Sequence, residues 1–181
     1  MIRLEYFERD DFPELMSWIK DEDLLVNWSG SLFRFPLTHT SLEWYIEGVN
    51  VIPRSKAYVY KVIETETGES VGHISLGSIS KKNKSGRISR VYVASNRRGK
   101  GYCNMMVKAI LKIGFEELKL HRISLGVYDF NISAIKCYQS AGMKIEGIHR
   151  DVLRFKNNWW SLVELSILEK EWTKTRKEAV L

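Results

Sequence analysis

The feature that most constrains this chain is a glycine-rich turn, Arg98-Gly99-Lys100-Gly101-Tyr102-Cys103, which joins an apolar strand to an amphipathic helix. The strand ends on Val91-Tyr92-Val93, and the apolar residues of the helix recur at helical spacing: Tyr102, Met105, Met106, Ala109, Ile110 and Ile113. Glycine at 99 and 101 permits positive φ, and the free N–H groups at a helix N-terminus carry about +0.5 of an elementary charge. The pattern predicts a phosphate cradle for an anionic cofactor; a tight turn that holds no ligand is the alternative.

A run of basic residues leads into this turn. Residues 81–100 contain no Asp or Glu and the following basic side chains: Lys81, Lys82, Lys84, Arg87, Arg90, Arg97, Arg98 and Lys100. The formal net charge of the whole chain is +6. Such a run is often only a solvated hairpin, but its position beside the turn suits a ligand with several phosphates, such as a nucleotide or a nucleic acid.

Length and composition predict one domain. The chain has 181 residues, of which 44% are hydrophobic, and we expect the domain to cover residues 1–172 and a short charged tail to cover 173–181. Two cysteines, Cys103 and Cys137, cannot build a disulfide framework, and neither has metal-ligand spacing, so we expect no metal. A charged N-terminus and the lack of an apolar run of about 18 residues predict a cytoplasmic protein with no membrane partner.

The first third of the chain predicts one strand and two helices. Residues 2–6 form the strand, and the first helix begins at Asp10 or Asp11, with Pro13 in its first turn. A capping box of Thr40 with Glu43 predicts the start of the second helix, and an aromatic loop joins the two helices.

The rest of the chain alternates between strands and helices. Residues 56–63 and 70–76 predict a hairpin around Glu66-Thr67-Gly68, followed by strands over 87–93 and 122–128. Asn131 caps a helix that ends at Gly142, and two last strands flank Lys156-Asn157-Asn158. The predicted order is β-α-α-β-β-β-α-β-α-β-β.

Three segments taken together resemble the acetyl-CoA-binding pattern of the GNAT N-acetyltransferase superfamily. They are Val91-Tyr92-Val93, then Arg98-x-x-Gly101-x-Cys103, then Asn131-x-x-Ala134-x-x-x-Tyr138-x-x-x-Gly142-Met143. The order of elements extends the resemblance over nearly the whole chain, although its sequence-specific part covers about residues 88–148. Within the superfamily the chain most resembles the ribosomal-protein N-terminal acetyltransferase branch (RimJ/RimL-like), through Arg3-Leu4-Glu5 and Glu146-Gly147.

The resemblance implies an α+β fold with three layers, in which helices flank a mixed, mostly antiparallel central sheet. It also implies that the sheet splays apart after Val93 and Tyr128 and that acetyl-CoA lies in the gap. Backbone N–H groups would bind the pyrophosphate, and the edges of Val91 and Val93 would pair with the pantetheine amides. The side chains of Arg97, Arg98 and Lys100 would reach the outer phosphates. The implied cofactor-binding residues are Val91, Tyr92, Val93, Arg98, Gly99, Lys100, Gly101, Tyr102, Cys103, Asn104 and Asn131.

By the same resemblance, Tyr138 protonates the departing CoA thiolate and Asn131 hydrogen-bonds near the thioester. A core tyrosine and a plain helix cap are the structural alternatives for these two residues. Two positions depart from the family pattern: Cys103 replaces the usual Gly or Ala, and Gly126 stands where some relatives carry a glutamate thought to act as base. His73 is therefore our candidate base, and Glu164 or a chain of waters is the alternative.

We expect an acetyl-CoA-dependent N-acetyltransferase that acts on a primary amine by direct attack in a ternary complex, without a metal. The acceptor is a protein N-terminus, a polyamine or an aminoglycoside-like molecule. The aromatic loop and the carboxylates near it favour a cationic acceptor; the carboxylates are Asp21, Glu22, Asp23, Glu43 and Glu47. A catalytically silent acetyl-CoA sensor is one alternative. A nucleic-acid-binding module is weaker, because it explains the charge but not the motif spacing. Trp159 and Trp160 suggest a homodimer contact.

Overall fold

The computed structural model describes residues 1–51 and 54–178. The strands are β1 Ile2–Tyr6, β2 Tyr58–Glu64, β3 Ser70–Ser80, β4 Ser85–Val93, β5 Arg122–Tyr128, β6 Lys144–Phe155 and β7 Asn158–Leu168. The helices are α1 Phe12–Trp18, α2 Glu22–Ser29, α3 His39–Tyr45, α4 Tyr102–Lys112, α5 Ile132–Ser140 and α6 Glu169–Glu178. Single turns of 3₁₀ helix cover Arg9–Asp11 and Ser95–Arg97, and a π-helical turn, Ile113–Glu117, follows α4.

All seven strands lie in one sheet, in the order β1-β2-β3-β4-β5-β7-β6. Every neighbouring pair is antiparallel except β4 and β5, which are parallel because α4 carries the chain back across the sheet between them. This mixed, mostly antiparallel sheet with flanking helices confirms the α+β fold class.

The one parallel pair is also the place where the sheet opens. Pairing of β4 with β5 is limited to Ser85, Gly86 and Arg87, which face residues 122–124. Beyond Arg87 the two strands diverge, while β4 stays paired with β3 and β5 stays paired with β7. The backbone edges that β4 and β5 turn toward each other are therefore free of strand partners along residues 88–93 and 125–128.

Two hydrophobic cores lie on opposite faces of the sheet. One packs α4 and α5 against the central strands, and the other packs α1, α2 and α3 around Tyr92. The buried residues of α4 are Tyr102, Met106, Val107, Ile110 and Leu111. Met105, Ala109 and Ile113 of the predicted apolar face are only half-buried. The face that α4 turns toward the sheet and α5 is rotated toward Val107 and Leu111, which are buried in their place.

The region before β2 holds three helices, one more than the two predicted there. The predicted aromatic loop contains α2, whose N-terminus is capped by the Asp21 side chain accepting from the Leu24 N–H. The cap of α3 is Thr38 in a reciprocal capping box with Ser41, rather than Thr40 with Glu43. Prediction failed here because adjacent Ser and Thr residues offer competing caps, and α2 spans only eight residues.

The C-terminal helix α6 runs across the boundary predicted at residue 172. Trp172 is buried and stacks on Phe115 with ring centroids 6.0 Å apart, and its indole N–H donates to Glu116. The predicted tail therefore begins inside a helix, while residues 179–181 lie outside the described residues. Within the part of the chain that the structure describes, no helix is both long and apolar enough to cross a lipid bilayer.

Candidate active site

A cavity of about 700 Å³ fills the gap between β4 and β5. Its walls come from residues 88–93 of β4 and 125–128 of β5, from the turn before α4, and from α2 and α5. The open edges of both strands therefore face the same space as the glycine-rich turn. An elongated ligand lying here would meet backbone donors and acceptors along most of its length.

The glycine-rich turn has the backbone geometry that its sequence requires. Gly99 and Gly101 both have φ of +79°, a conformation that residues with a Cβ rarely adopt. Gly101 is the N-cap of α4 and provides no side-chain hydrogen bond to the first turn. The N–H groups at this end of α4 thus remain available, together with the positive end of the helix dipole, for an anion.

A polar network fixes this turn to the end of β2. Glu64 accepts hydrogen bonds from the Tyr102 hydroxyl and from Arg97, and Arg97 also pairs with Glu69. The hydrogen bond from Tyr102 holds the pKa of Glu64 below its usual range. Arg97, predicted to reach outer phosphates, is thus engaged with two carboxylates, whereas Arg98 lies over the ring of Tyr92, with its guanidinium carbon 5.7 Å from the ring centroid.

Tyr138 and Asn131 line the cavity from α5 and the turn before it. The Tyr138 side chain is buried, and this burial raises the pKa of its hydroxyl above the ordinary value near 10. Asn131 is the N-cap of α5, with its Oδ1 accepting from the Ala134 N–H at 3.3 Å. Asn131 therefore has the predicted structural role of a cap and still faces the cavity.

Cys103 and Cys137 form a disulfide bond in the cavity wall. The bond joins the first turn of α4 to α5, one residue before Tyr138. Sequence reasoning ruled out a disulfide framework and missed this single bridge, because the helix packing that brings the two residues together is not visible in their spacing of 34 residues.

The narrow end of the gap is closed by an ion pair. Arg87 of β4 donates from Nη1 and Nη2 to the two carboxylate oxygens of Glu164 on β7, at 2.5 and 2.9 Å. Gly126 lies between them on β5: a Cβ there would come within 2.6 Å of Arg87 Nη2 and 2.7 Å of Leu162 Cδ2. The position where some relatives carry a glutamate is thus filled by the Arg87 side chain.

His73 lies behind the cavity wall in an aromatic cluster and is not among the residues that line the cavity. It is 1% exposed, its Nε2 is 3.2 Å from the Tyr45 hydroxyl, and its ring packs edge-on against Phe7 and Trp28. Burial, aided by the charge of Arg90, lowers the pKa of His73 to about 3. The ring is therefore neutral and weakly basic across the physiological pH range.

The end of the cavity away from the glycine-rich turn is bounded by α2, Tyr128, Phe130 and Arg90. Tyr128 and Phe130 stack on each other and pack edge-on against Trp160. None of the carboxylates predicted to favour a cationic acceptor lines the cavity. Asp21 caps α2, Asp23 pairs with Lys156 at 2.5 Å, and Glu43 pairs with Arg9 at 2.8 Å.

Most of the residues predicted for the site surround this one cavity: Val91, Tyr92, Val93, Arg98, Gly99, Gly101, Tyr102, Cys103, Asn131 and Tyr138. Three lie elsewhere. Lys100 is exposed, Asn104 donates to the Ser140 hydroxyl, and His73 is in the aromatic cluster. Arg87, Arg90 and Leu162 also line the cavity and were not predicted as site residues; the two arginines belong to the basic run, but no motif marks Leu162. Among residues 1–51 and 54–178, no group of His, Cys, Asp and Glu could hold a metal ion.

The family model of the acetyltransferase (GNAT) domain matches residues 2–144. That match covers β1 to β5, the glycine-rich turn and α5 described above. The chain belongs to the GNAT acetyltransferase family. Among solved structures, this GNAT domain is similar to the spermidine N-acetyltransferase from Vibrio cholerae in complex with CoA and spermine. The TM-score is 0.82 at 19% identity, over 95% of this chain and 98% of that one.

Two curated relatives of this GNAT chain come from Bacillus subtilis. The chain is 36% identical over 77 residues to the uncharacterised N-acetyltransferase YnaD, covering 42% of this chain and 45% of YnaD. It is 29% identical over 105 residues to the putative ribosomal N-acetyltransferase YdaF, covering 58% of this chain and 57% of YdaF. The matched segments thus span about half the length of these relatives.

Proposed function

We propose that this protein transfers the acetyl group of acetyl-CoA to a primary amine. The observation that carries the proposal is a single cavity with a glycine-rich helix N-terminus at one end, open strand edges along its sides and the Tyr138 side chain in its wall. These residues fit the co-substrate: first-turn N–H groups and Arg98 bind the pyrophosphate, and the edges of Val91 and Val93 bind the amides of the arm. Acetyl-CoA supplies the activated thioester.

Tyr138 acts on the leaving sulfur. Its raised pKa keeps the phenol protonated at neutral pH, so it can donate to negative charge that develops on the sulfur. A thiolate, with a conjugate pKa near 8.5, is less basic than tyrosinate, so hydrogen-bond donation is the main part of the interaction. Groups that act in this way contribute about 100- to 10,000-fold to rate.

Transfer is direct, from donor to amine, within a ternary complex. The two cysteines of the cavity wall are bonded to each other, so neither offers a thiol that could carry the acetyl group. His73 lies outside the lining, and both oxygens of Glu164 are held by Arg87. The amine therefore loses its proton to water rather than to either of these side chains.

Binding and turnover measurements test the proposal with a matched pair of variants. Acetyl-CoA at about 100 times its Kd should stabilise the fold by about 2.7 kcal/mol, visible as a higher Tm. Tyr138→Phe should keep this shift and lose about 100- to 10,000-fold in kcat for acetylated product. Tyr58→Phe removes a hydroxyl from another buried tyrosine, outside the cavity lining, and should keep kcat within about two-fold.

Three results would contradict the proposal in different ways. No thermal shift with acetyl-CoA would remove the binding site. A shift without acetylation of any amine would favour the acetyl-CoA sensor, and full turnover in Tyr138→Phe would remove Tyr138 from the mechanism.

Membership of the ribosomal-protein branch stays a prediction. So does the homodimer, which the exposed Ile145, Ile148, Val152 and Trp159 side chains at the sheet edge support.

A further inference from the structure

The charges that line the cavity are all positive. Arginines at 87, 90, 97 and 98 contribute to the wall, and no Asp or Glu does so. Arg87 is neutralised by Glu164, and Arg97 by Glu64 and Glu69. Arg98 belongs to the glycine-rich turn, where the proposed phosphates provide its counter-charge. Arg90 is left without an ionic partner among residues 1–51 and 54–178.

The Arg90 side chain is held in place but incompletely satisfied. Its Nη1 donates to the Ser89 hydroxyl at 2.7 Å, and its guanidinium carbon lies 5.9 Å from the centroid of the Tyr45 ring. Its Nε is buried and has no hydrogen-bond partner in the described part of the chain. Because a buried atom offers no surface to a ligand, a ligand's acceptor atom would bind the guanidinium where Arg90 lines the cavity, and it would offset the cost of the unpaired charge there.

Arg90 belongs to the end of the cavity away from the glycine-rich turn, and we place the acceptor there. Its contact with Tyr45 places it on the face of the sheet covered by α1, α2 and α3, and α2 lines the same cavity. Along β4 it precedes Val93 by three residues, which is about 10 Å of strand. The phosphate-binding turn lies beyond Val93, so a donor bound there would leave Arg90 free for the second substrate.

The chemistry of this end selects against a polycation. A polyamine or aminoglycoside carries several ammonium groups, and each would lie near the unpaired charge of Arg90 without a carboxylate in the wall to compensate it. The same field already contributes to the lowered pKa of His73. An acceptor with its own anionic group would instead neutralise Arg90 and provide hydrogen-bond acceptors for its guanidinium.

We infer that the acceptor is a small primary amine that carries a carboxylate or phosphate, and that Arg90 binds this anionic group. The inference rests on the proposed function for the identity of the reacting amine. The size limit follows from the cavity volume of about 700 Å³, part of which the donor's arm must occupy. A guanidinium donates to carboxylate and phosphate oxygens with equally good geometry, so the inference includes both kinds of anionic group.

Paired acceptors isolate the anionic group. Acetylated product is measured by mass spectrometry for an amino acid against its carboxamide, for O-phosphoethanolamine against ethanolamine, and for spermidine. We expect the anionic member of at least one pair to exceed both its neutral partner and spermidine in kcat/KM by roughly 10- to 100-fold. Which pair responds distinguishes a carboxylate from a phosphate acceptor.

Variants then assign the preference to Arg90. Arg90→Gln should lower the ratio of anionic to neutral kcat/KM by roughly 10- to 100-fold, while Arg90→Lys, which keeps the charge, should retain part of the preference. Arg154→Gln is the matched control, because Arg154 is exposed on β6 outside the cavity lining and its loss should leave the ratio unchanged. Far-UV circular dichroism and Tm establish that each variant is folded.

A binding measurement separates failure of this inference from failure of the proposed function. With CoA present, calorimetric binding of the anionic amines that weakens in Arg90→Gln supports the inference even if no acetyl group is transferred. Equal or greater kcat/KM for spermidine overturns the inference while supporting acetyl transfer. The inference is also overturned if the preference for anionic amines survives in Arg90→Gln. It is overturned, too, if the anionic amines are neither acetylated nor bound.

Discussion

Because Gly126 has no side chain, its neighbours Arg87, Leu162 and Glu164 can pack closely around it. It lies opposite Glu164 in the β5–β7 ladder, and Arg87 crosses over it to reach that carboxylate. Two side chains would each come within 2.7 Å of an added Cβ. The sequence showed that position 126 lacks the glutamate that some relatives carry. The close contact of Gly126 with the Arg87–Glu164 pair depends on β4, β5 and β7 lying side by side.

Gly126→Ala should therefore be destabilising. We expect the free energy of unfolding to fall by about 1 to 3 kcal/mol, because the methyl group must displace Leu162 or weaken the ion pair. Gly147→Ala is the control: an added Cβ there meets nothing within 4 Å, so its stability should match or exceed that of the wild type. Urea unfolding of both variants measures the difference, and equal midpoints would contradict the packing described here.

At the scale of elements, α4 and α5 are joined by the Cys103–Cys137 disulfide directly beside the cavity. The glycine-rich turn is tied to β2 through Glu64, so both sides of the cradle have partners distant in the sequence. Strand, turn and helix were predictable because they are contiguous. The disulfide and the Glu64 hydrogen bonds were not predictable, because each depends on which elements pack side by side.

Reduction of the disulfide should loosen this pair of helices. We expect dithiothreitol to lower the stability of the wild-type protein by about 2 to 4 kcal/mol, the usual range for a disulfide that closes a loop of this size. The double variant Cys103→Ser with Cys137→Ser should show no response to dithiothreitol. Thermal unfolding with and without reductant measures this, and peptide mapping under non-reducing conditions should recover residues 103 and 137 on linked peptides.

The whole molecule should be sensitive to mild acid because of His73. Its folded pKa of about 3 lies below the unfolded value of about 6.5, so between these values the unfolded chain binds more protons than the native protein. Stability from this residue is complete above pH 6.5 and is lost as pH falls toward 3, with a limiting slope of about 1.4 kcal/mol per pH unit.

Unfolding measured between pH 7 and pH 5 isolates this effect, because unperturbed carboxylates remain mostly ionised over that interval. His73→Gln keeps a hydrogen-bonding side chain near Tyr45 without an ionisable ring, and it should flatten the dependence. Exposed His149 is a control, since His149→Gln should leave the slope unchanged. A wild-type slope equal to that of His73→Gln would show that His73 titrates normally in the folded protein.

The sequence by itself determined the family, the α+β fold class and the two segments, the end of β4 with the turn after it and α5 with its cap, that supply ten of the predicted residues lining the cavity. It could do so because the motifs are local: a strand end, two glycines that must adopt positive φ, and a capped helix. Only the tertiary structure decided that His73 is buried, that Arg87 and Glu164 pair across the sheet, and that Arg90 faces the cavity without a carboxylate. Burial and charge pairing depend on residues far apart in the chain, and hydrophobic packing of the sheet and helices brings those residues together.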